Sequence, residues 1–242
     1  MATRADEITA PSKLALAAEL PRAIWSITSH AFSRQMLAAA PKGDGRPVLA
    51  LPGLFVSDRS NFIMRRYLSA LGYRAYGWGL GHNFSLRTIG PDGEKLGARI
   101  AGITEETGDP VTLVGVSLGG IMARFAAQRW PDQVREVITV ASPFAGNPRA
   151  TNLWRTYEWL TGERVDDPRQ QALLAEAAAP LPVPATAIWS RSDGLVNGMI
   201  CRAEDDGAGR CIEVQSSHMG VQLKPEVLRA IADVLGGETS AT

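Results

Sequence analysis

The sequence predicts an α/β protein in which a mainly parallel sheet of about six strands carries helices on both faces and a short helical lid. Three observations lead there. From position 47 onward, short apolar runs alternate with amphipathic stretches, the pattern of strand–helix–strand crossovers. The run Val111 to Val116 is almost wholly apolar, as a central parallel strand covered on both faces must be. The 242 residues are 45% hydrophobic and 21% charged, which suits one large domain with a substantial core.

Positions 1–46 read as an N-terminal helical segment packed on the core, and 47–242 as the α/β domain. Leu14, Leu16, Ala17 and Leu20, then Ile24, Trp25, Ile27, Phe32, Met36 and Leu37, recur at helical spacing with a break at Pro21. Packing on the flank of the domain is the expected role of that apolar face; the alternative is a membrane-surface helix. Val48 to Leu51 reads as a buried strand ending in Pro52-Gly53. Ser60 to Leu71 is amphipathic, with Gly72 to cap it, and Tyr73 to Trp78 is a second strand. Glu94 to Thr107 is a helix and Val111 to Val116 the third strand. Leu118 to Trp130 is a helix stopped by Pro131, followed by strands at Val134 to Val140, Ala185 to Ser190 and Ile212 to Val214. Val227 to Leu235 closes the domain as a helix. The long departure, about 143–184, carries Leu153, Trp154, Tyr157 and Leu160 at helical spacing, then an Ala/Leu/Glu helix around Gln170 to Ala179. It is the expected lid.

Charge and termini exclude several classes. Lys+Arg and Asp+Glu are 25 each, a net charge of zero, which gives no electrostatic reason for a nucleic-acid or anionic-membrane partner. No apolar run approaches the roughly 18 residues of a membrane span. Asp6 and Glu7 stand where a signal peptide would be basic, and only two cysteines occur. The expectation is a cytoplasmic protein with no integral membrane segment, monomeric or dimeric. Cys201 and Cys211 bracket an acidic Gly-rich loop. A disulfide there would contribute about 2–3 kcal/mol by loop closure, and two reduced thiols are the other reading.

The hexapeptide Gly115-Val116-Ser117-Leu118-Gly119-Gly120 stands between an apolar strand and an apolar helix. A turn that sharp strains the serine backbone and needs glycines on either side, where side chains would collide. It lifts Ser117 Oγ above the sheet beside the free N–H groups of a helix N-terminus. A serine nucleophile needs a base, and three histidines exist. His30 lies in the N-terminal segment and reads as structural. His82 follows the second strand, and His218 lies in the polar loop Ser216 to Gly220 between the last strand and the last helix. His218 is favoured, with His82 as its rival, because the Ser, acid, His order fits it. The acid then falls between them. Asp193 follows the strand Ala185 to Ser190 directly, whereas Asp205 and Asp206 sit in a loop with no strand before it. Two convergent N–H groups would stabilise an oxyanion. Leu118, after the serine, offers one; Leu54, in the loop after the first strand, offers the other, with Gly53 permitting the turn. Phe55, His82, Trp154, Tyr157 and Met219 are the candidate substrate-lining residues.

Leu51-Pro52-Gly53-Leu54, Gly77 to Asn83, Gly115 to Gly120, Ser190 to Val196 and Ser217-His218-Met219-Gly220 stand in the order found in α/β-hydrolases. The chain resembles compact bacterial lipase- or esterase-like members of that superfamily over positions 47 to 235. The resemblance implies a Ser117–His218–Asp193 triad, no metal and no organic cofactor. It also implies a small-molecule ester or lipid-like substrate cleaved through an acyl-enzyme. Pro52-Gly53 replaces the His-Gly of many relatives, and Val116 a common His or Trp, which bears on substrate choice. Acyl transfer, amide or thioester hydrolysis would use the same parts. A non-catalytic binding protein on this scaffold is the rival from another class.

Overall fold

The structure is a computed structural model and describes residues 8–22, 33–202 and 209–237. His30, Asp205, Asp206 and the apolar positions Ile24, Trp25, Ile27 and Phe32 lie outside the described residues. Among the described residues six strands form one sheet: β1 (Pro47–Leu51), β2 (Arg74–Gly77), β3 (Val111–Val116), β4 (Val134–Val140), β5 (Ala185–Trp189) and β6 (Gly209–Glu213). Every pair is parallel, in the order β2-β1-β3-β4-β5-β6. The chain first steps from β1 outward to β2, then returns to lay β3 on the other side of β1. Loops leaving β1 and β3 therefore diverge, and a crevice opens at their C-terminal ends.

Strand alternation divides the core between two faces. Val48 and Ala50 of β1 point to one side, against Met64 and Leu68 of the helix Phe62–Leu71 and Ile231 and Leu235 of the helix Pro225–Leu235. Leu49 and Leu51 point to the other, against Ile100 and Ile103 of the helix Glu94–Thr107 and Phe125 and Ala126 of the helix Leu118–Arg129. Truncating any of these buried leucines to alanine should cost about 2–5 kcal/mol.

Numbered along the chain, the helices are α1 (Lys13–Ala17), α2 (Arg34–Ala38), α3 (Phe62–Leu71), α4 (Leu86–Ile89), α5 (Glu94–Thr107), α6 (Leu118–Arg129), α7 (Trp154–Thr161), α8 (Pro168–Ala178) and α9 (Pro225–Leu235). Element ends differ from the sequence reading for identifiable reasons. β2 is shorter than Tyr73 to Trp78 because Tyr73 N–H donates to Leu68 O at the end of α3, and Trp78 N–H to Asp58 Oδ1 at 2.8 Å. β6 starts earlier, since Gly209 to Cys211 pair with Ala185 to Ala187. Asp58–Asn61 form a 3-10 turn, so α3 begins at Phe62 rather than Ser60. Neither Cys201, which is buried, nor Cys211, which is exposed on β6, forms a disulfide.

The segment between β4 and β5 carries α7 and α8, as expected from its spacing. Arg124 of α6 anchors it, donating to Ala179 O at 2.9 Å with its guanidinium 4.0 Å from the Phe144 ring. The N-terminal segment packs differently from expectation. Leu14 and Leu20 are 84% and 58% exposed, while Glu19 is 2% exposed. No helix among the described residues is long and apolar enough to cross a membrane.

Candidate active site at the C-terminal edge of the sheet

Ser117 stands between β3 and α6 with φ 51° and ψ −120°, in the left-handed half of backbone space that a non-glycine residue enters only at a cost. Its neighbours show why the turn needs glycine. A Cβ on Gly115 would run into Gly119 O and Gly120 Cα, and one on Gly119 would lie 2.5 Å from Leu51 O. These are backbone atoms of packed elements and cannot step aside. The turn so closed brings α6 hard against β1 and leaves Ser117 half-buried with its hydroxyl in the crevice.

His218 comes from the loop after β6, and Asp193 from the end of β5. His218 Nε2 lies 3.0 Å from Ser117 Oγ, and His218 Nδ1 lies 2.7 Å from Asp193 Oδ2. Asp193 Oδ1 accepts from the N–H groups of Leu195 at 2.9 Å and Val196 at 2.8 Å. The carboxylate is buried, with Oδ1 taken by these two N–H groups and Oδ2 facing the imidazole. Ser190 Oγ accepts from Ser216 N–H at 3.0 Å and donates to Ser216 O at 2.9 Å, stitching the end of β5 to the histidine loop. Burial would push the His218 pKa down. The charge and hydrogen bond of Asp193, then the charge of Glu19, outweigh it and hold the imidazole above the ordinary histidine value.

The loop after β1 reaches the same place. A Cβ added to Gly53 would lie 3.5 Å from Ser117 Cβ. Buried Asn83 fixes this loop: Nδ2 donates to Pro52 O at 2.8 Å, its carbonyl accepts from Phe55 N–H at 2.7 Å, and its N–H donates to Val56 O at 3.0 Å. Phe55, not Gly53, carries the left-handed φ, 64°. Among the described residues the N–H groups of Leu54 and Leu118 have no protein acceptor. Two such donors beside a half-buried hydroxyl can hold a developing negative charge.

Two cavities flank Ser117. One, of about 100 Å³, is almost wholly apolar and is walled by Leu54, Leu118, Ile121, Leu153, Trp154 and Tyr157 among others. The second, of about 370 Å³, opens past Phe55, His218 and Met219. Leu54, Ser117 and Leu153 line both.

No protein-family model matches the chain, and no curated protein sequence does. Solved structures do. A metagenome-derived lipolytic enzyme of the LipS and LipT pair superposes with a TM-score of 0.60 at 17% identity, covering 83% of this chain and 97% of its own. The mature Bacillus licheniformis lipase BlEst2 gives 0.58 at 17% identity, covering 81% and 94%. A monoacylglycerol lipase of Paleococcus ferrophilus gives 0.55 at 16%, covering 83% and 97%. The chain has the α/β-hydrolase fold.

On that fold the sequence-derived residues fall into three groups. Ser117, Asp193 and His218 form one hydrogen-bonded line, with Leu54 and Leu118 beside it. Phe55, Trp154, Tyr157 and Met219 face the cavities. His82 is exposed and stands in an aromatic cluster with Phe55 and Phe84, at 6.1 and 6.5 Å, outside both cavity walls. Tyr157 is held by a hydrogen bond from its hydroxyl to Glu163 and by Ser85 Oγ at 2.9 Å; burial, then Glu163, raises its pKa well above the usual tyrosine value. Among the described residues no three His, Cys, Asp or Glu side chains are grouped as metal ligands would be. Sequence reasoning missed the roles of Asn83 and Glu19. Asn83 had a signal, since an Asn in the Gly-rich loop after β2 can hydrogen-bond nearby backbone and tie that loop.

Proposed function

We propose that the protein is a serine hydrolase that cleaves carboxylic esters of small or lipid-like molecules through an acyl-enzyme. The observation that carries this reading is the unbroken line Ser117 Oγ, His218 Nε2, His218 Nδ1, Asp193 Oδ2, at 3.0 and 2.7 Å, opening into an apolar cavity. Ser117 Oγ attacks the ester carbonyl carbon while His218 Nε2 takes the hydroxyl proton. The oxyanion sits against the Leu54 and Leu118 N–H groups. As the C–O bond breaks, His218 returns the proton to the leaving alkoxide. Water then attacks the acyl carbon, giving its proton to His218, and Ser117 leaves with that proton as the carboxylic acid departs. Asp193 holds His218 in the Nδ1–H tautomer throughout and stabilises its charged form.

The acyl group fits the apolar cavity behind Ser117, and the alcohol the wider one bordered by Met219. The α7–α8 insertion acts as the lid over the first. The test is labelling with a fluorophosphonate probe and turnover of short-to-medium acyl p-nitrophenyl esters. Wild type should label at Ser117 and turn over. Ser117→Ala should do neither, losing several orders of magnitude in kcat. Wild-type turnover in Ser117→Ala would remove the reading altogether.

A further inference from the structure

The N-terminal segment lies across the loops that carry the acid and the base. Asn197 Nδ2 donates to Thr9 O at 2.8 Å, and Asn152 Nδ2 to both Pro11 O at 3.1 Å and Gly194 O at 2.9 Å. Gly194 has to be glycine because a Cβ there would collide with Ala15 O. Arg22 donates to Ser192 O at 2.6 Å and Ser192 Oγ at 2.7 Å. Between these anchors Glu19, 2% exposed, places one oxygen 2.7 Å from Gly194 N and the other 2.8 Å from Met219 N. Gly194 follows Asp193 and Met219 follows His218. One buried carboxylate thus bridges the two residues next to the two partners of the imidazole–carboxylate pair.

A carboxylate loses several kcal/mol of hydration on burial unless it is paired or hydrogen-bonded. Here each oxygen receives one backbone N–H, and protonation of His218 places a positive charge where the Glu19 charge favours it. We propose that Glu19 is a positioning residue of the centre described above: it holds the Asp193 and His218 loops in register and stabilises the imidazolium by its charge. This rests on the esterase reading for its role in turnover, but not for its effect on the imidazole. The charged groups around that ring are Asp193 and Glu19; farther along, Lys224 interacts with Glu226 and with Arg22. Loss of a nearby negative charge lowers a histidine pKa, because the protonated form loses stabilisation.

The experiment follows His218 in two ways. Its imidazole titration is read by NMR, with the resonance assigned by its loss in His218→Gln. The pH dependence of fluorophosphonate labelling at Ser117 is read alongside. In Glu19→Gln the imidazole midpoint should fall by about half a unit or more, and the acid limb of labelling should move to lower pH with it. The plateau labelling rate should drop about tenfold, since the two N–H groups sit on different oxygens and the amide NH2 that replaces one of them cannot accept. Glu19→Asp keeps the charge but is one methylene short. It should leave the midpoint near wild type while the rate falls. If Glu19→Gln does not fold, Glu19→Ala with Leu20→Ser as a surface control supplies the comparison. An imidazole midpoint that stays put without the Glu19 charge overturns the proposal, even if stability falls. Wild-type protein that does not label would remove the esterase reading instead, while the NMR midpoints still decide the role of Glu19.

Discussion

At the scale of single residues, the Asp193 carboxylate is the most constrained group in the site. Oδ1 is committed to the Leu195 and Val196 N–H groups, which leaves only Oδ2 facing His218. In Asp193→Asn the carbonyl oxygen would keep those two donors, so the amide nitrogen must face the imidazole. Nδ1 would then accept, and the ring proton would sit on Nε2, pointing at Ser117. That tautomer cannot take the serine proton. We expect a melting temperature near wild type and a fall in kcat of about ten-thousand-fold, measured on a p-nitrophenyl ester. A loss below tenfold would show that another group orients the ring. pH offers a second check. Only neutral imidazole accepts the proton, and His218 holds its proton more tightly than a free histidine at 6.5. The kcat/KM profile should therefore rise with pH through a midpoint above 6.5 and flatten beyond it. Asp193 was legible because an apolar strand runs straight into it. Glu19 was not, because the N-terminal segment was read by the spacing of its leucines, and the face it turns to the protein meets backbone donors rather than a hydrophobic surface.

At the scale of elements, the turn from β3 into α6 and the loop after β1 make opposite demands on glycine. Gly115 faces the backbone of the first turn of α6, so Gly115→Ala must push helix and strand apart and should destabilise the fold by about 1–3 kcal/mol or more. Gly53 has ordinary room, with its nearest neighbours at 3.5 Å, and its φ is not in the left-handed region. Gly53→Ala should leave the melting temperature within a degree or two of wild type, because the turn in that loop is made at Phe55. Thermal unfolding of the pair reads the contrast directly, and an equal loss in both would mean that the β1 loop is under strain of another kind. Strand positions were legible because parallel strands buried on both faces announce themselves as apolar runs. Their ends were less so. Asp58 claiming Trp78 N–H and the early pairing of β6 with β5 are tertiary events with no local signature. The short α4 and the 3-10 turns have too few residues to show a period.

At the scale of the whole molecule, the strand order places the crevice and the insertion after β4 shapes it. β1 and β3 carry their loops away from each other at the switch point, which sets Leu54 and Leu118 on either side of one space. Leu153 and, from α7, Trp154 and Tyr157 border that space, and α8 adds Leu173 and Leu174. Helical spacing marked the aromatic face of α7 in the sequence, but it could not say whether that face packs the insertion down or borders a cavity. In the structure Trp154 faces the cavity and stacks its ring under the guanidinium groups of Arg149 and Arg155, at 4.7 and 5.0 Å. The ring is held from outside, so removing it should enlarge the cavity without unseating α7. An apolar cavity of about 100 Å³ beside Ser117 suits a short acyl chain best. On a series of p-nitrophenyl esters, wild-type kcat/KM should therefore peak at short chains and fall steadily with length. Trp154→Ala should move the peak to longer chains, raising their kcat/KM relative to the shortest ester by about ten- to a hundred-fold, the value of one or two added methylenes in an apolar pocket. A variant with the wild-type chain-length profile and a lower melting temperature would mean that Trp154 serves packing alone, and that the acyl chain lies in the wider cavity beside Met219.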